Sequence, residues 1–271
     1  QRQMCIRDRV EYFTANASAA NFQINTVTYD VLVPATPVHD YLATASVVTL
    51  ASSATLAVDG GISLVAGRFV NGAGSAALNP GAGLDWRVWS SNPDPFDPLI
   101  GDQTGGLVYD YRQYDLAYTP GAVGLLGTGD GFIYTYAPSL GFALTGSVTK
   151  TYDGTNTVSN LTSANYTVSG AVGGDAVSIT GGLPTSGTYS SSHDVGSGLD
   201  VTVTGITANI LATNLAGQAE VFGYRLSAVP ATGPIGAITQ APLTVTANAA
   251  NKTYDGLSLI HISEPTRLRR I

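Results

Sequence analysis

The pentapeptide Lys150-Thr151-Tyr152-Asp153-Gly154 returns unchanged as Lys252-Thr253-Tyr254-Asp255-Gly256, 102 residues later. That spacing is the size of one small β domain, so the chain reads as a piece of a tandem array. A repeat that restarts so near the last residue leads us to expect a natural protein that continues further.

The two ends read differently from the rest. Met4-Cys5-Ile6-Arg7-Asp8-Arg9 can be encoded by ATGTGTATAAGAGACAG plus one base, and Leu257-Ser258-Leu259-Ile260-His261-Ile262 by CTGTCTCTTATACACAT plus one base. These strings are reverse complements, and they look like the transposase end sequence used in preparing sequencing libraries. Residues 1–9 and 257–271 are therefore expected to be adapter-like artefact and are left out of fold reasoning, as a fusion scar would be. The only Cys, the only Met and six of the twelve Lys and Arg residues lie in those tails.

Between residues 10 and 256 there remain six basic and seventeen acidic residues and no cysteine. An acidic surface argues against nucleic acid, whose phosphates require clustered cations. Without cysteine, neither disulfides nor thiol chemistry is available. No run of about 18 apolar residues exists, so no helical membrane span is expected.

Helical periodicity is almost absent. Runs rich in Val, Ile, Thr and Tyr alternate with Gly, Pro, Asn and Asp at short intervals, which is an all-β pattern. From residue 44 to 78, short apolar couplets (Val47-Val48, Leu56 and Val58, Ile62 and Leu64, Phe69-Val70) are punctuated by Asp59-Gly60-Gly61 and Asn71-Gly72. That spacing suits the last rungs of a right-handed parallel β-helix. Large aromatics and prolines follow, as a cap would require to cover apolar surface and open strand edges. From Leu144 the pattern changes to strands expected at 144–150, 166–169, 176–180, 199–204, 220–226 and 235–247, favouring an Ig-like β-sandwich. In the fourth of these, 199–204, Leu199, Val201 and Val203 are expected inside and Asp200, Thr202 and Thr204 outside. The expected division is 10–143 for β-helix end and cap, 144–246 for the sandwich module, and 247–256 for the start of a second one.

The segments LTGSVTKTYDGTNTV, NYTVSG, VGGDAVSIT, HDVGSGLDVTVTGI and ITQAPLTVTANAANKTYDG resemble the YDG domain, found in tandem in very large bacterial adhesins of the filamentous haemagglutinin family. SLVAGRFVNGAGSAAL, WRVWSSNPDPFDP and GFIYTYAPSL are similar to the stretch between the β-helix and the first YDG module of those proteins. The resemblance implies two-partner secretion from a Gram-negative cell, with a separate outer-membrane β-barrel transporter as partner, and a secreted or cell-surface location. Host-cell or bacterial surface glycans are candidate contacts, a reading that rests on the chain's aromatic residues and not on the resemblance. The module's ending departs from the family pattern, appearing as Phe222-Gly223-Tyr224-Arg225-Leu226.

Asp153-Gly154 is a tight-turn signal, because Gly accepts positive φ and Asp bonds its own backbone. The ten residues of the two pentapeptides are therefore read as structural turns. Asp94, Asp97 and Asp102 bring to mind a paired-acid glycosidase site or a Ca²⁺ site of loop oxygens, set against the solvated loop that their prolines favour. Trp86, Trp89, Tyr109, Tyr111, Tyr114 and Tyr118 could stack sugars; the competing reading is core and cap. His39 and His193 are solitary, and no cofactor is implied. The expected function is that of a non-enzymatic stalk or spacer in a secreted adhesin. A carbohydrate-binding module and an extracellular polysaccharide hydrolase with a β-helix region are the alternatives.

Overall fold

The computed structural model describes strands 13–16, 21–24 and 27–28, residues 41–248 apart from 122–123, 191–193 and 215–217, and residue 253. The adapter-like tails, His39, His193, Lys252, Tyr254, Asp255 and Gly256 lie outside the described residues. The protein is all-β with several sheets, and one 3₁₀ turn at Ser163–Asn165 is the only helical element among the described residues.

Ten strands come first: β1 (Phe13–Asn16), β2 (Asn21–Ile24), β3 (Val27–Thr28), β4 (Tyr41–Leu50), β5 (Leu56–Ala57), β6 (Ile62–Asn71), β7 (Leu78–Asn79), β8 (Trp86–Ser90), β9 (Tyr111–Gln113) and β10 (Gly131–Tyr134). All their mutual pairings are parallel. β1 and β2 pair one after the other along β4, which continues through β6, β8 and β10 to β9, while β3, β5 and β7 form a separate ladder. Alternation explains β6: Ile62, Leu64 and Ala66 point inward, then the phase slips so that Phe69 and Asn71 are the next buried residues. Gly67 sits at the slip, where a Cβ would lie 2.5 Å from the Ser46 carbonyl oxygen of β4. Only glycine lets the two strands approach and turn together there. The inward residues of both ladders, including Val48, Leu56, Leu64, Phe69 and Val88, build one core.

Eleven strands follow: β11 (Ser139–Leu144), β12 (Val148–Thr151), β13 (Thr157–Val158), β14 (Tyr166–Ser169), β15 (Ala176–Gly181), β16 (Gly187–Tyr189), β17 (Gly196–Val203), β18 (Asn209–Asn214), β19 (Ala219–Phe222), β20 (Arg225–Leu226) and β21 (Ala231–Thr239). Sheets β14-β11-β20 and β12-β21-β17-β16-β13 enclose a second core of Leu144, Val148, Val158, Tyr166, Tyr189, Val201 and Val203. As expected, Val201 and Val203 are buried, Leu199 packs against this core, and Asp200 and Thr204 face solvent.

Three expected strands are corrected. The run 144–150 is broken by Thr145-Gly146-Ser147, with Gly146 at φ +78°. The run 220–226 is broken at Gly223, whose Cβ would meet the Tyr114 carbonyl oxygen at 2.2 Å. The last strand among the described residues ends at Thr239, and residues 240–248 are exposed and outside any strand.

β15, β18 and β19 do not join either sheet around the second core. They continue the first sheet, with β19 parallel to β9 and β18 and β15 added antiparallel beyond it. The resulting ten-stranded sheet therefore takes strands from both halves of the chain.

Candidate functional site

The repeated pentapeptide closes a turn at the end of β12. Tyr152 N–H donates to the Thr239 carbonyl at 2.8 Å, tying the turn to β21. Gly154 takes φ +78°. Asp153 Oδ1 accepts the Thr155 N–H at 2.9 Å, the Thr155 hydroxyl at 2.9 Å and Lys150 Nζ at 2.6 Å. Lys150 Nζ also donates to the Thr155 carbonyl at 2.6 Å and stands 5.7 Å from the centre of the Tyr189 ring. Lys150, then the Thr155 donors, hold the Asp153 carboxyl down at about 2. Thr151 and Tyr152 are exposed, as is Thr253 of the second copy. The Asp-Gly turn was legible as such; the clasp formed by Lys150 and Thr155 was not.

Asp94, Asp97 and Asp102 are held by separate local bonds. Asp97 Oδ1 accepts the N–H groups of Leu99 at 2.7 Å and Ile100 at 2.9 Å, which hold its carboxyl below the usual range. Asp102 Oδ1 accepts Phe69 N–H and Asn92 Nδ2, each at 3.1 Å, and burial pushes its carboxyl up. Asp94 is exposed, its N–H bonded to Asn92 Oδ1 at 3.1 Å. Arg68 fastens the same loop through the carbonyls of Gly101 and Leu99. The Asp97 and Asp102 carboxylates fasten a loop, and no group of three His, Cys, Asp or Glu residues suited to a metal ion occurs among the described residues.

The six aromatic residues do not form one platform. Trp86, Tyr109 and Tyr114 point into the first core, whereas Trp89 and Tyr111 lie on the opposite face of the sheet with Ile133, and Tyr118 packs on them. Five of the six are at most 4% exposed, and Tyr118 is half-buried edge-on to Trp89 at 5.3 Å. The reason is strand parity: Trp86 and Trp89 are three residues apart on β8, so they must face opposite ways. Inside the core, Phe132 takes Trp86 and Tyr109 edge-on, each at 5.2 Å.

A buried polar cluster joins the two halves of the chain. Asp175 accepts Arg112 Nη1 at 2.7 Å and Asn214 Nδ2 on Oδ1, and the hydroxyls of Tyr114 at 2.6 Å and Tyr224 at 2.7 Å on Oδ2. Arg112 Nη2 donates to the Tyr109 hydroxyl at 2.7 Å, which in turn donates to Asn214 Oδ1 at 3.0 Å. The guanidinium also lies 5.1 Å from the Phe96 ring centre. Arg112 and Asp175 side chains are 6% and 0% exposed. Burial and the Asp175 carboxylate, against the pull of Arg112, hold the Tyr114 phenol far above its ordinary value, so it stays a donor. Val172-Gly173-Gly174-Asp175 makes this possible: a Cβ on Gly173 would meet Phe96 at 2.6 Å and Arg112 Nη1 at 2.7 Å. The Gly-Gly-Asp run is visible in the sequence, but its partners lie about 60 residues upstream, at Arg112 and Tyr114, and 39 and 49 residues downstream, at Asn214 and Tyr224, where nothing local points to them.

The site therefore defines a structural junction in an all-β protein, with its polar groups turned on one another. Residues 137–217 match the YDG domain, a segment that starts just before β11 and includes Asp175 and Asn214. No curated protein and no solved structure matches the chain.

Proposed function

We propose that the chain is a non-enzymatic fragment of a large secreted bacterial surface adhesin, acting as a stalk or spacer in cell adhesion. In this reading the parallel ladders are the end of a right-handed β-helix, and residues 144–246 are an Ig-like sandwich module of a YDG array. Export would proceed through an outer-membrane β-barrel transporter, as in two-partner secretion. The observation that carries the reading is the sheet that runs from β1 to β15 without interruption, stitched by the buried Arg112–Asp175 pair. A part that transmits force or sets distance needs such a joint, whereas a hinge between independent domains has little crossing it. The YDG match supports the repeat-array setting. Burial of the aromatic rings favours a spacer over a sugar-binding surface.

Small-angle scattering of the purified protein tests the mechanical part: one rigid particle is expected, and an ensemble of ladder–module angles would contradict it. Deleting the gene in its source bacterium should lower adherence. Binding on a glycan array, or release of sugars from a polysaccharide, would replace the spacer reading with a lectin or a hydrolase.

A further inference from the structure

Asp-Gly pairs are chemically exposed points in a chain, because the glycine nitrogen meets no Cβ of its own residue on approaching the preceding side-chain carboxyl. Asp130-Gly131 has its glycine fixed at the start of β10, paired to β8 and β9. Asp153-Gly154 differs: the Asp153 side chain is 54% exposed, and no atom lies within 4 Å of where a Gly154 Cβ would stand. Neither strand pairing nor packing blocks reaction there.

The reaction needs the neutral acid. The Gly154 nitrogen bonds to Asp153 Cγ, its proton and the carboxyl hydroxyl depart as water, and a five-membered succinimide closes. Water then adds back across one of the two ring C–N bonds. Opening the bond from the original backbone carbonyl routes the main chain through the side chain and leaves isoaspartate, with no net change in mass and no reactant but water. The ionised carboxylate lacks a leaving group and does not react.

In the folded turn that carboxylate has three donors on Oδ1: Lys150 Nζ, Thr155 N–H and the Thr155 hydroxyl. We propose that Asp153-Gly154 is a latent isomerisation site, and that Lys150 and Thr155 are positioning residues that keep it unreacted by holding the carboxylate ionised and bonded into the loop. The lowered proton affinity of Asp153 agrees with this geometry. Relative to an ordinary Asp, the neutral acid is therefore scarcer at any pH above both values. Isoaspartate would lengthen the turn by one backbone atom and separate Asp153 from the Thr155 N–H.

The test ages the purified protein near pH 5 beside a synthetic peptide of residues 146–159, measuring isoaspartate by enzymatic methyl transfer and peptide mapping. The folded protein should react at least about tenfold more slowly than the peptide. Lys150→Met and Thr155→Val should each move the rate several-fold toward the peptide with an unchanged circular dichroism spectrum, and Lys150→Arg should restore protection. If those variants unfold, the pH profile of the wild type decides. Its rate should keep climbing as pH falls from about 5 to 3, where the peptide levels off near the ordinary Asp value. Equal rates for protein and peptide at pH 5, or wild-type rates in both folded variants, would overturn the proposal.

Discussion

Gly154 holds φ +78° in open space, so a side chain there meets no steric obstacle except its own backbone. Val at this position combines a positive φ with β-branching, and Gly154→Val is expected to cost roughly 1–2 kcal/mol, read as a fall in the denaturant midpoint. An unchanged midpoint would remove the turn from the account of stability. The neighbouring carboxylate makes the turn sensitive to acid. Asp153 is lowered from 3.8 to about 2 by Lys150 and Thr155, so its folded form binds the proton less readily than its unfolded form. Its stabilising contribution is therefore complete above the unfolded value and disappears as pH falls through about 2. The melting-temperature gap between wild type and Asp153→Ala should be constant above about pH 5 and shrink from about pH 4 downward. A gap independent of pH would show that the ion pair contributes nothing.

The junction between elements is where single changes should be most damaging. Removing one member of a buried ion pair leaves the other unpaired in low dielectric, which costs about 3–5 kcal/mol. Asp175→Ala and Arg112→Ala should each reach that range in chemical denaturation, whereas Arg112→Met with Asp175→Leu should cost much less than their sum. Additive losses would mean that the two residues act separately. Much of the element layout was legible in the residues. The alternation of 199–204, the couplets on β4 and β6 and the Asp-Gly turn all follow from side-chain parity and glycine geometry within a few residues. Parity separates Trp86 from Trp89 on β8, but it does not separate Tyr109 from Tyr111, which lie on opposite faces although two residues apart. What escaped sequence reasoning is the pairing of β19 with β9, because neither strand carries a local mark of its partner. Asp175 was hidden for the same reason. Its sequence neighbours form a turn, and its chemistry comes from Arg112, Tyr114, Asn214 and Tyr224.

For the whole molecule, a sheet shared between both halves couples their stabilities. Ladder end and module should melt in one transition at any pH near neutral, and calorimetry showing two resolved peaks would rule out the coupling. Exposed Leu243 and Val245, 88% and 82% accessible, lie beyond the last strand and belong to neither core. The same shared sheet has a kinetic side. Asp115 and Arg225, ion-paired across the joint, are 110 residues apart, and Tyr109 and Asn214 are 105 apart. Contacts of that sequence separation must wait for slow loop closure, so they form late in folding. A chain delivered from its N-terminus would hold β9 as an open edge until Ala219–Phe222 arrived. During that interval the half-made protein presents an unpaired strand to any other chain nearby, and crowding at the point of synthesis becomes the condition under which it is most prone to misassemble.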